Sequence, residues 1–132
     1  MSASALAFVY DRCLTANRSV LDLRLAVCTE YLAERGWTVG GRFVDFGDHA
    51  LTDVHRPAFD EMLRAMVEAS GRERVCLLHD WGRLSHTAGD RRGLASAVLG
   101  VGAWLSTVDG DSVGPGALPT GRVTAAPQVV RR

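Results

Sequence analysis

Four apolar runs punctuate the first 109 positions, and the stretches between them carry apolar residues at helical spacing. Ala5-Leu6-Ala7-Phe8-Val9-Tyr10 is continuously apolar until Asp11, the pattern of a strand buried on both faces. Asp11 to Ser19 reads as a polar loop. From Val20 to Arg35, Leu21, Leu25, Cys28 and Leu32 recur every three or four positions, which predicts a helix stopped by Gly36. Trp37 to Phe46 predicts a second strand, with Gly40-Gly41 marking a bulge or a bend. A loop of mixed polarity carries His49 and His55. Pro57 then occupies a first helical position and opens a stripe of Phe59, Met62, Leu63, Met66 and Val67 that ends before Gly71. Val75-Cys76-Leu77-Leu78 is a third buried strand. Thr87 to Leu99 is a helix diluted by Gly89 and Gly93, with Leu94 and Val98 inward, and Val101 to Val108 is a fourth strand.

Strands alternating with helices predict one three-layer α/β/α domain on a mainly parallel sheet of about four strands, joined by right-handed crossovers. In such a sheet the residues just past the carboxyl ends of the strands converge on one crevice. Topology alone therefore brings Asp11, Arg12, Asp45 and the segment from Asp80 to His86 together. After Asp109 the chain is punctuated by Gly110, Gly114, Pro115, Gly116, Pro119, Gly121 and Pro127, so the expected division is a domain over 1–109 and a flexible tail over 110–132.

Composition narrows the chemistry. The 132 residues are 47% hydrophobic, enough for one contiguous core. Fifteen basic residues balance fifteen acidic ones, so no global field draws the chain to nucleic acid or an anionic membrane, and any such contact is local. Every basic residue is arginine, whose planar fork suits phosphate or carboxylate; the same fact is open to a purely compositional reading. Cys13, Cys28 and Cys76 form no CxxC pair and have no histidine pair at ligand spacing, which argues against a disulfide framework and a zinc site. No metal and no cofactor is implied. No apolar run approaches the ~20 residues that span a bilayer, and the N-terminus has no basic leader, so a cytoplasmic protein without membrane contact is expected.

The order of short motifs carries more. Tyr10-Asp11-Arg12-Cys13-Leu14 ends the first strand, Leu21-Asp22-Leu23-Arg24 opens the first helix, and Asp45-Phe46-Gly47-Asp48-His49-Ala50 precedes Arg56-Pro57. Gly82-Arg83-Leu84-Ser85-His86 follows the third strand. This series, over roughly Ala5 to Asp109, resembles the catalytic domain of the resolvase/invertase serine recombinases. Those enzymes carry Tyr-x-Arg-x-Ser, Leu-Asp-x-Gln, Asp-x-Gly-x-Ser-Gly before Arg-Pro, and Asp-Arg-Leu-x-Arg at the corresponding places. The resemblance implies a resolvase-like fold and makes Arg12, Arg56 and Arg83 the phosphate- or DNA-binding residues. It also places Leu14 where the family's serine attacks a DNA phosphodiester, Gly82 at an aspartate, His86 at an arginine and Arg24 at a glutamine. Leucine has no lone pair, so the covalent step has no nucleophile there.

The implied function is a serine-recombinase-like domain without strand cleavage, acting by binding DNA phosphate or another recombinase subunit. Two alternatives stand beside it: a repurposed hydrolase or phosphoryl-transfer enzyme using Cys13 or His86 in the same crevice, and a regulatory protein-interaction module. For Arg12, Arg56 and Arg83 the competing reading is ion pairing with Asp11, Asp45 or Asp80, and for Cys13 it is packing as a small hydrophobe. Thr15 and Ser85 are further hydroxyls without an evident base. The family's long dimerisation helix and DNA-binding domain have no counterpart before Arg132, which leaves the oligomeric state open.

Overall fold

The structure is a computed structural model that describes residues 4–14, 18–47 and 56–114. Its elements run β1 (Leu6–Cys13), α1 (Arg18–Glu34), β2 (Thr38–Phe46), α2 (Pro57–Glu68), β3 (Arg74–Leu78), α3 (Ala88–Gly100), β4 (Trp104–Thr107) and β5 (Ser112–Val113). They build one α/β domain with a sheet in the order β2-β1-β3-β4-β5. The first four strands are parallel, as expected for strands joined by helical crossovers. The two-residue β5 adds an antiparallel edge to β4.

β5 lies beyond the boundary drawn at Asp109, so residues 110–114 belong to the sheet edge and not to a tail. The hairpin closes through Gly110 N–H to Thr107 O at 3.0 Å and Thr107 N–H to Asp111 O at 2.9 Å, and Gly110 supplies the turn's φ of 98°. Two residues are too few to show a period. Residues 115–132 lie outside the described residues.

The strand alternation sorts the core into two layers. Ala7 and Val9 pack with Leu77, Cys28 and Leu32 beneath α1. Phe8, Tyr10, Cys76, Leu78 and Leu105 face the other way, against Phe59, Met62 and Met66 of α2 and Leu94 and Val98 of α3. The expected inward stripes thus hold, while Leu25 and Leu63 are only partly covered and Val67 is exposed.

Two local features set the carboxyl end of the sheet. Ala7 pairs with Val39 but Phe8 pairs with Gly41, so Gly40 is the extra residue of a bulge in β2. A Cβ at Gly40 would stand 2.9 Å from the Phe8 ring, which only glycine avoids. The second feature is the length of β1, which runs three residues past the expected end and carries Asp11, Arg12 and Cys13 inside the sheet, opposite Val44, Asp45 and Phe46.

Candidate functional site

Alternation along β1 sends Asp11 to the α1 face and Arg12 to the α2/α3 face, and both are buried. A buried carboxylate is tolerated only when paired. Arg24, on α1, donates from Nε to Asp11 Oδ2 at 2.8 Å and from Nη2 to Oδ1 at 2.9 Å, a fork that meets both oxygens. These hydrogen bonds raise the Arg24 pKa above its ordinary value against the opposing effect of burial. Arg83, from the 3-10 turn Trp81–Arg83 after β3, reaches the same Asp11 Oδ1 at 3.4 Å and donates to Arg12 O at 3.2 Å.

Arg12 crosses to the loop after β3. Its Nε donates to Gly82 O at 2.7 Å, and its Nη2 lies 3.4 Å from His86 Nδ1. A guanidinium has only donors, so this contact requires the unprotonated Nδ1 of His86. Burial lowers the Arg12 pKa, and repulsion from Arg83 and then Arg56 lowers it further. Beside it, His79 Nδ1 donates to Asp80 Oδ2 at 2.8 Å, and Arg83 Nε approaches Asp80 Oδ1 at 3.4 Å. Burial pushes the Asp80 carboxyl up, but the His79 hydrogen bond and the Arg83 charge outweigh it and hold the group below its usual value.

A second network lies deeper. Arg56 is almost fully buried and donates from Nη1 to the Tyr10 hydroxyl at 3.3 Å; that hydroxyl donates to Asp45 Oδ2 at 2.7 Å. Asp45 in turn accepts the backbone N–H of Ala58 at 2.8 Å and of Phe59 at 3.1 Å. The N-cap residue Arg56 has no capping side-chain bond of its own, so a carboxylate from the end of β2 caps α2. Burial, with the neighbouring Asp45 hydrogen bond and charge, raises the Tyr10 pKa far above the ordinary phenol value.

Of the residues singled out in the sequence, Arg12, Arg83 and His86 meet at the carboxyl ends of β1 and β3, and Arg56 stands behind Tyr10. Cys13 follows Asp11 onto the α1 face and is buried, whereas Leu14, which the sequence resemblance sets against the family's serine, is 45% exposed. Ser85 is buried and its Oγ accepts the Thr87 N–H at 3.2 Å, while Thr87 caps α3 through Asp90 N–H. Thr15, His49 and His55 lie outside the described residues. The sequence reading missed Arg24 as the principal partner of Asp11; an acidic residue ending a buried strand and an arginine on the inner side of the next helix were the available signal. Among the described residues, no group of His, Cys, Asp and Glu is placed to hold a metal ion, and no helix is long and apolar enough to cross a membrane.

No protein-family model matches the chain, and no curated protein matches it. Solved structures do. The C-terminal catalytic domain of ISC1926 TnpA, described as an IS607-like serine recombinase, superposes with a TM-score of 0.64 at 18% identity, over 78% of this chain and 68% of that one. The N-terminal catalytic domain of TP901-1 integrase gives 0.64 at 18% identity over 79% and 77%. A resolvase family site-specific recombinase from Streptococcus pneumoniae gives 0.65 at 16% identity over 80% and 73%. The chain has the resolvase-like fold of serine recombinase catalytic domains.

Proposed function

We propose that this serine-recombinase-like domain binds DNA phosphate at the carboxyl end of β1 and β3 without cleaving the strand. The observation that carries the reading is the meeting of Arg12, at the end of β1, and Arg83, just after β3, each donating to a backbone carbonyl of the other's segment. Arg24 and Arg83 pair with Asp11, and Arg83 also reaches Asp80, so the guanidinium groups gather beside exchangeable carboxylate partners whose place a phosphate oxygen could take. Arg12 already feels repulsion from Arg83 and Arg56, and an anion between them relieves it. Leu14 supports the absence of cleavage, because an aliphatic side chain presents no nucleophile.

The test is fluorescence anisotropy with a short labelled duplex, run across a salt series. Salt-sensitive binding in the ~10⁻⁴–10⁻⁶ M range of sequence-independent contacts is expected, weakened by Arg12→Ala and by Arg83→Ala. In parallel, supercoiled plasmid incubated with the protein should yield no covalent adduct on a denaturing gel. An adduct, or binding indifferent to both substitutions, would sink the reading.

A further inference from the structure

The side of α1 turned away from the sheet is as patterned as the side that packs on it. Val20, Leu23 and Val27 are 47%, 67% and 39% exposed, and with Glu30 and Glu34 they follow each other at intervals of three, four, three and four residues. That is the spacing of a coiled-coil seam, two apolar turns followed by two acidic positions. Isolated exposed apolar residues are ordinary on a protein surface; three in register on one helix face are not.

The acidic end is in an electrostatically poor place. A helix C-terminus carries partial negative charge and favours cations, yet α1 has no basic residue in its last turn. Arg35, the first basic residue past the helix, is turned elsewhere, donating to Tyr31 Oη at 3.0 and 2.7 Å and lying over the Tyr31 ring, and Arg42 of β2 donates to Thr29 Oγ1 at 3.1 Å. Among the described residues, neither Glu30 nor Glu34 forms a salt bridge.

We propose that this face docks an amphipathic helix of a partner protein, one with an apolar seam that continues into basic residues beside Glu30 and Glu34. The partner's apolar residues would cover Val20, Leu23 and Val27, and its basic end would answer both the carboxylates and the helix terminus. A second copy of α1 does not fit this face. A parallel two-fold pairing sets Glu30 against its own copy, and an antiparallel one centred between Leu23 and Val27 sets Glu30 against Val20. The inference is independent of phosphate binding in the crevice.

The probe is a synthetic helical peptide of about three heptads with leucine at the seam positions of one half and arginine at those of the other, made in both orders along the chain. Titrated against the full chain, one of the two orders should bind. Substituting Leu23→Glu with Val27→Glu should weaken it by roughly tenfold or more. Glu30→Arg with Glu34→Arg should likewise abolish binding of the arginine peptide and permit binding of a version carrying glutamate instead. Circular dichroism of each variant, whose changes are on the surface, confirms that the fold is kept, and Arg12→Ala should leave peptide affinity unchanged.

Three results would overturn the proposal. One is indifference of peptide binding to the charge reversal. Another is self-association of the chain alone, seen by light scattering and removed by Leu23→Glu, which would give the face to a second copy. The third is contact of the Leu23 methyl groups with Leu118 or Val129 in nuclear Overhauser spectra, which would give it to the chain's own C-terminal segment.

Discussion

Arg24 grips both oxygens of Asp11, at 2.8 and 2.9 Å, from a helix that begins only after the strand carrying Asp11 has ended. Asp11 therefore neutralises part of the positive charge that the crevice presents, and Arg83 shares it. Replacing Asp11 with Asn should do two opposite things. Stability should fall by about 2 kcal/mol, less than for a fully enclosed pair because Arg24 and Arg83 both reach solvent. Duplex affinity at low salt should rise, and its logarithmic salt dependence should steepen, because released guanidinium groups become available to phosphate. Urea unfolding and anisotropy at several salt concentrations check the two halves separately.

Leu14 bears on chemistry and scarcely on folding. Its side chain is largely in solvent, so Leu14→Ser should change stability by no more than about 0.5 kcal/mol. It should also fail to create a strand-cleaving enzyme. A serine hydroxyl is a weak nucleophile without a positioned base. Denaturing gels after incubation with supercoiled plasmid should show no adduct for the variant; an adduct would mean that the crevice keeps a competent phosphoryl-transfer geometry.

Most of the layer architecture was legible because its periodicity is local. Phe59, Met62 and Met66, or Leu94 and Val98, announce a buried helical face whatever lies across from it. The carboxyl end of β1 was illegible for the opposite reason. Asp11 and Arg12 read as a loop because charge does not ordinarily continue a buried strand, and partners distant in sequence, Arg24 and Arg83 for Asp11 and the Gly82 carbonyl for Arg12 among them, make it tolerable. The cap of α2 was hidden in the same way: Asp45 lies eleven positions before Arg56, so no pattern around Pro57 could reveal it. Family resemblance brought Arg12, Arg56 and Arg83 to one end of the sheet but did not separate Arg56, which donates to Tyr10, from Arg12 and Arg83, which meet at the carboxyl ends of β1 and β3.

The bulge at Gly40 is a packing requirement imposed on an edge strand. Gly40→Ala should cost about 1–3 kcal/mol, since the new methyl group would lie 2.9 Å from two atoms of the Phe8 ring and Phe8 is buried in the larger core. The outcome should be a lower urea midpoint with an unchanged slope. Gly71→Ala offers the comparison, because an added Cβ there meets nothing within 4 Å. Equal effects of the two substitutions would refute the steric account.

The buried phenol of Tyr10 should make stability fall at high pH. Its folded pKa is raised above the ordinary value of 10.0, by burial first and by the Asp45 hydrogen bond and charge next. The unfolded chain releases this proton near pH 10 and the folded chain retains it, so the folded state binds more protons throughout the alkaline range. Stability from this group is complete below pH 10 and declines above it, by up to ~1.4 kcal/mol per pH unit. Tyr10→Phe removes the group, so its stability should decline less steeply between pH 10 and 12 by about that amount. At neutral pH the same substitution should cost only about 1 kcal/mol, because Asp45 keeps the amides of Ala58 and Phe59. Burial also pushes the Cys28 thiol up to about 12, but that contribution is present in both proteins and cancels in the comparison. Parallel alkaline slopes for the two proteins would show that the Tyr10 proton is not held by the fold.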